Sequence, residues 1–189
     1  MATEGLRARA RGAVRVQLAE LAIGLFIEHG YDATTVDDIA DAAGVSRRSF
    51  FRYFPSKDEV LFHGLDEVAV KLAAQIRSAD GDDDWECLRQ VLTEWHEQLY
   101  VSGRVLELVE SSPALRARMV EKRDELRRQV SEALRERPGS TLDEFTADLL
   151  TAAAAAVLDV AAQEWLRAGG DRAELIRWGF EELSPGGRR

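Results

Sequence analysis

A helix-start signal recurs along this chain and constrains its fold more than any other feature. A Ser, Thr or Asp at a helix start accepts a bond from an orphan backbone N–H, and an acid three residues on answers it. That pairing stands at Thr35/Asp38, Ser56/Glu59, Thr141/Glu144 and Asp171/Glu174. Ser112 before Pro113 marks another start, because proline at the first helical position loses no intrahelical bond. Gly30, Gly44 and Gly169–Gly170 stand where helices should stop.

Between these marks the apolar residues keep helical spacing. Val14, Leu18, Leu21, Ala22, Leu25 and Phe26 predict a first helix over residues 10–29. Val60, Leu61, Leu65, Val68, Leu72 and Ile76 predict another over 57–77. Further helices are expected at 84–101, 103–110, 113–136, 141–168 and 171–183, with a polar loop at Asp80–Asp84. No segment alternates with period two in Val, Ile and Thr, so no sheet is expected. Ala, Leu, Arg and Glu dominate, and the 189 residues include only four prolines. The expected fold class is all-α.

With 46% hydrophobic residues, the chain can bury a core. The longest near-apolar run, around Ala152–Ala162, is broken by Asp159 and reads as too short to span a bilayer. No apolar stretch follows the first positive charges, so no secretory signal is expected. The single cysteine, Cys87, excludes an intrachain disulfide and fits a reducing compartment. A cytoplasmic protein with no membrane partner is the expectation. The net charge is −9, unevenly spread. Residues 1–57 hold eight Lys/Arg against seven Asp/Glu, for +1, and residues 58–189 hold 17 against 27, for −10. That asymmetry hints at two jobs in one chain.

The informative segment is Thr34–Lys57, TTVDDIADAAGVSRRSFFRYFPSK. It predicts a helix from Val36 to Ala43 that buries Val36, Ile39, Ala40 and Ala43. Gly44 permits the positive φ of a tight turn. Val45 plugs the core and Ser46 caps a second helix, Arg47 to Phe54. That helix buries Phe50 and Phe54 and presents Arg47, Arg48, Phe51 and Arg52 on its other face, with Ser49 and Tyr53 at the edges. This is a helix-turn-helix layout, whose second helix enters the major groove of DNA.

The residue types suit that partner. Arginine forms a bidentate pair with guanine O6 and N7. Ser49 can bond a base edge or a phosphate, Phe51 can meet a thymine methyl, and Tyr53 can offer its phenol to a phosphate. Lys57 and Thr35, each placed at a helix start, can hold a phosphate where free N–H groups already favour an anion. Ser46 can add a phosphate contact to its cap. Arg7, Arg9, Arg11 and Arg15 can reach the backbone or minor groove from a flexible arm.

The first 60 or so residues, from FIEHGYDATTVDDIADAAGVS through RRSFFRYFPSKDEVL, resemble the DNA-binding domain of the tetracycline-repressor (TetR) family. The resemblance implies an all-α homodimer. It implies a helix-turn-helix DNA-binding domain, residues 1–56, followed by a ligand-binding and dimerisation domain, residues 57–189. It also implies repression at an inverted-repeat operator, relieved by a small-molecule effector. Phe51 stands where members often carry tyrosine, so the hydroxyl contact is lost there. The stretch SSPALRARMVEKRDELRRQV and the Ala-rich helix with QEWLRAGG resemble the subgroup whose C-terminal domain binds acyl-CoA-like ligands.

Trp95, Leu99, Tyr100, Met119 and Phe145 either line such a pocket or form plain core. Arg104, Arg116 or Arg123 can meet an acidic head group at its mouth. The Ala152–Ala156 run lets helix backbones approach closely. With Leu149, Ala152, Ala153, Ala156, Val160, Ile176 and Phe180, the last two helices can pack against their copies in a four-helix seam, or be buried within one chain. HEQLY at His96–Tyr100 lacks the second histidine of a zinc protease, and the Asp80–Asp84 stretch lacks the glycine and glutamate of a calcium loop. No catalytic set, metal site or cofactor motif is read, so no enzyme is expected. The alternatives are an architectural DNA binder without a ligand, and a helical carrier with an incidental helix-turn-helix.

Overall fold

The computed structural model describes residues 2–99 and 103–184. Among them lie nine α-helices and no strand: α1 (Ala2–His29), α2 (Val36–Ala42), α3 (Arg47–Tyr53), α4 (Glu59–Ser78), α5 (Asp84–Glu94), α6 (Gly103–Ser111), α7 (Pro113–Glu136), α8 (Glu144–Ala168) and α9 (Arg172–Glu182). The protein is all-α, and most boundaries fall within a few residues of the expected ones.

Four boundaries differ for physical reasons. α1 starts at Ala2 rather than near residue 10, because Ala, Leu and Arg carry the helix through its two early glycines. α4 starts at Glu59, after a turn in which the Val60 and Leu61 N–H groups bond the Lys57 and Asp58 carbonyls. α5 stops at Glu94: the His96 Nδ1 takes the Thr93 carbonyl, at 2.6 Å, that a continuing helix would offer to the Glu97 N–H. α8 is capped by Asp143, whose carboxylate accepts from the Thr146 N–H at 2.7 Å, so Thr141 and Leu142 lie outside it.

The helices gather into two compact units, Met1–Gly64 with Val101–Val120, and Leu65–Tyr100 with Glu121–Arg189. α6 and the first turns of α7 fall with the N-terminal helices in this division.

In the first unit α1 packs on α2 and α6, and α2 packs on α3. Phe26, Ile39, Phe50, Phe54 and Leu115 are fully buried there. In the second unit α5, α8 and α9 pack on one another. Their core includes Leu72, Ile76, Leu88, Leu134, Ile176 and Phe180. Trp85 seals α5 to α9: its ring centroid lies 4.7 Å from that of Phe180, and its Nε1–H donates to the Phe180 carbonyl at 2.9 Å. Close approach of α8 and α9 needs Gly179, where a Cβ would stand 2.7 Å from Val157 Cγ1. All four tryptophans, Trp85, Trp95, Trp165 and Trp178, belong to this unit. Arg137, buried, bonds the Gly81 and Asp83 carbonyls and pairs with Asp84 at 3.0 Å, which ties down the polar loop.

At 25 residues, α8 is long and apolar enough by length and composition to cross a membrane, so the run is longer than the Ala152–Ala162 stretch suggests. One side of it, with Ala147, Thr151, Ala154, Val157 and Ala161, is buried in the second unit. Its Asp148 accepts from the Ser131 hydroxyl at 2.6 Å, and its Asp159 pairs with Arg123 at 3.7 Å.

Candidate nucleic-acid interface

The interface is built from α2, a turn and α3, and each joint has a chemical cause. Thr35 opens α2. Its hydroxyl accepts from the Asp38 N–H at 3.2 Å, and the Asp38 carboxylate accepts from the Thr35 N–H at 2.8 Å, which completes the expected capping box. Those Thr35 hydrogen bonds hold the Asp38 carboxyl below its ordinary pKa. At the other end Gly44 takes φ 64°, a value that strains any L side chain. The Val45 N–H then reaches the Ala40 carbonyl at 2.9 Å and the Gly44 N–H the Asp41 carbonyl at 3.1 Å. This doubly bonded C-terminal turn stops the helix and points the chain into α3. Ser46 caps α3 by accepting from the Ser49 N–H at 3.1 Å, and its own hydroxyl donates to the Ser49 hydroxyl at 3.0 Å.

The two faces of α3 divide as the sequence predicts. Phe50 and Phe54 are fully buried, their ring centroids 5.8 Å apart. Arg47, Arg48, Phe51 and Arg52 are exposed, and Ser49 and Tyr53 are half-buried. Val36, Ala43 and Val45, expected as core, are only half-buried. Three arginines thus stand on one outward face of a short helix. Two of them lie over aromatic rings: Arg47 is 5.7 Å from the Phe51 centroid and Arg52 is 5.2 Å from that of Tyr53. Arg47 also pairs with Asp37 of α2 at 2.7 Å. Asp37 gives no sign of this role in the sequence, since an acid ten residues before an arginine is no signal until the turn folds them together. A helix with such a face fits the width of the major groove, and forked guanidinium donors match guanine edges.

Lys57 departs from the expected role. Its ammonium donates to the Tyr31 carbonyl at 2.6 Å and the Thr34 carbonyl at 2.9 Å, and lies 4.0 Å from the Tyr31 ring centroid. It precedes α4 rather than lying in its first turn. Burial lowers its pKa. Its first task is to close the α1–α2 connection. Beyond it, Arg118 of α7 pairs with Glu59 and lies 4.0 Å from Asp58.

The N-terminal arginines are carried on α1, which is helical from Ala2 onward. Arg11 donates to the Arg52 carbonyl at 3.0 Å, and Arg15 stacks over Phe54 at 5.3 Å. Both brace α3 from behind. The side chains of Arg7 and Arg9 lie outside the described part.

The expected pocket residues are divided between the two units. Met119 is buried in the first unit, whereas Trp95 and Leu99 pack at the edge of the core of the second. Trp95 donates to Gln75 at 2.6 Å. Arg116 donates to the Glu110 carbonyl, Arg104 is exposed, and Arg123 is engaged with Asp159. Tyr100 lies outside the described residues. Phe145 is 75% exposed, on the open face of α8, because its spacing of four from Leu149 places both outside the bundle. An open cleft of about 490 Å3 in the second unit is instead lined by His96, Glu97, Trp165, Gly170, Asp171 and Arg172. Arg172 lies over the Trp165 ring at 5.5 Å and donates to the His96 carbonyl at 2.9 Å.

The expected dimer residues split into two groups. Leu149, Ala152, Ala156 and Val160 are exposed along one face of α8, with Ala153 half-buried beside them. Ile176 and Phe180 are buried within the chain under Trp85 and cannot meet another copy. On α9 the exposed apolar residue is Trp178.

Comparison with known proteins agrees with this geometry. Residues 18–63 match the family model described as bacterial regulatory proteins, tetR family, and residues 88–188 match that of the MftR C-terminal domain. The transcriptional regulator TcmR of Streptomyces glaucescens is 34% identical over 94% of this chain and 84% of its own length. The putative mycofactocin biosynthesis regulator MftR of Mycobacterium tuberculosis is 44% identical over 28% of this chain and 26% of its own. Among solved structures, Thermus thermophilus FadR, a repressor in complex with lauroyl-CoA, superposes with a TM-score of 0.56 at 27% identity, over 89% of this chain and 92% of that one. The chain belongs to the TetR family and is a DNA-binding transcriptional regulator of the helix-turn-helix type.

Proposed function

We propose that the protein is a homodimeric repressor whose two copies of α3 read an inverted-repeat operator, and that an acyl-CoA-like effector releases it. Arg47, Arg48, Ser49 and Phe51 face base edges in this reading, while Thr35, Ser46, Arg52 and Tyr53 meet phosphates. Residues 1–56 carry the DNA contacts; residues 57–189 carry the effector and the dimer seam. The protein acts in the cytoplasm, through binding alone and without catalysis.

The observation that carries the proposal is the open face of α8. Phe145, Leu149, Ala152, Ala156 and Val160 recur at spacings of three and four, and all five are exposed. Such a stripe is costly in water and is relieved by a second copy packed across a two-fold axis. One helix-turn-helix buries too little DNA surface to select a site in a genome, and two solve that problem. The likeness to the FadR that holds lauroyl-CoA supports the effector class. An effector acts by binding better to a dimer whose reading helices no longer match successive major grooves.

Sedimentation, selection from a random duplex library and release assays test the three parts. The wild type should sediment as a dimer at micromolar concentration. Ala152→Glu with Ala156→Glu should give monomers that bind the operator weakly. Selected sites should be inverted repeats. Lauroyl-CoA should release the operator where coenzyme A or laurate alone does not. A wild-type monomer refutes the dimer, and indifference to every acyl chain length refutes the effector class.

A further inference from the structure

Of the three arginines on the outward face of α3, one is held and another is not. Arg47 Nη1 bonds the Asp37 carboxylate at 2.7 Å, and the same guanidinium lies 5.7 Å from the Phe51 centroid. Phe51 is itself set edge-on against Phe50, at 5.5 Å and 88°, and Phe50 is fully buried. The guanidinium therefore connects to the core on one side and to α2 on the other. Arg48, its neighbour, is exposed and among the described residues is held by no ion pair or hydrogen bond.

A carboxylate on a DNA-facing surface calls for an explanation, because it repels phosphates. An exposed ion pair adds little to stability, so stability does not supply one. Guanidinium geometry does. The group carries five N–H donors in a plane. A bond to Asp37 through Nη1 still leaves donors for a fork onto guanine O6 and N7. An arginine already fixed in one orientation also loses less side-chain entropy on docking. We propose that Asp37 is a positioning residue for sequence recognition, orienting Arg47 so that Arg47, rather than Arg48, makes the discriminating guanine contact. This rests on the reading of α3 as the groove-facing helix.

The test is selection from random duplexes followed by binding to single-base variants of the selected site, using wild type, D37A, D37N, R47A, R48A and the D37A/R47A pair. R47A should lose about 10- to 100-fold in discrimination at one base pair per half-site. D37A and D37N should lose about 3- to 10-fold at that same base pair and nothing elsewhere, a smaller effect because only orientation is lost. The pair should be no worse than R47A alone, as for two residues acting as a unit. Asp37 is exposed, so its variants should keep the wild-type circular dichroism and melting. D37A that tightens binding evenly on all sequences would show Asp37 to be only a repulsive charge and overturn the proposal. Additive losses, or a larger loss at that base pair from R48A, overturn it too. A wild type that enriches no sequence overturns the groove reading and this inference together.

Discussion

Replacing Lys57 with methionine separates two roles that a lysine beside a recognition helix can have. Methionine keeps most of the stem and removes only the ammonium. The structure gives that ammonium two carbonyl partners, of Tyr31 at 2.6 Å and of Thr34 at 2.9 Å, and the face of the Tyr31 ring at 4.0 Å. Hydrogen bonds to a charged group contribute ~1.5–3 kcal/mol each. Burial, which lowers the Lys57 pKa, opposes part of that gain. Two carbonyls beside nearly buried residues would also lose their donors. A net loss of about 2–3 kcal/mol follows. For a chain of this length that is about 4–12 °C in melting temperature. Amide hydrogen exchange should place the loss in α2 and α3, because the staple closes the connection leading into them. The slope of log affinity against log salt, measured below the melt, should stay at the wild-type value, since an ammonium committed to carbonyls neutralises no phosphate. K57M that melts with the wild type, and lowers that slope by about one unit, would refute the reasoning and restore Lys57 as a phosphate contact.

Burial, with Asp58 and Asp32 nearby, raises the Tyr31 phenol to about 12. The unfolded chain therefore loses this proton first, and stability should fall as pH rises from about 10 to 12. Y31F should flatten that stretch of the stability profile, and a spectrophotometric titration should show one tyrosine ionising last. Gly179→Ala should destabilise the second unit by ~1–3 kcal/mol, read by denaturant unfolding, because its Cβ runs into the β-branched Val157. Thr35→Ala should cost ~1 kcal/mol in the same measurement through loss of the α2 cap, while Thr35→Ser should restore it.

Local chemistry makes the reading unit legible in the sequence. Thr35, Gly44 and Ser46 each act within three residues of themselves, and Phe50 and Phe54 declare a buried face through their spacing alone. What stayed hidden depends on partners distant in sequence. Lys57 looks like a phosphate ligand until the Tyr31 and Thr34 carbonyls, 26 and 23 residues earlier, fold against it. Arg11 and Arg15 look like an arm until they meet α3. Phe145 and Phe180 are both aromatic residues on C-terminal helices; only the docking of Trp85 on α9 decides that Phe180 is core and Phe145 is surface. The Thr141 signal misses for another reason: Asp143, a stronger cap as an anion, accepts from the Thr146 N–H and starts the helix two residues later.

The placement of the four tryptophans turns the molecule into its own optical instrument. Every indole belongs to the unit formed by Leu65–Tyr100 with Glu121–Arg189, and none to the helices that meet DNA. Light absorbed at the red edge, beyond tyrosine, therefore excites that unit alone. Operator binding by an isolated reading head would leave the emission untouched. An emission shift on adding operator duplex, with no dye and no label, is then a direct measure of communication from one unit to the other. Its amplitude across effector concentrations is the coupling itself.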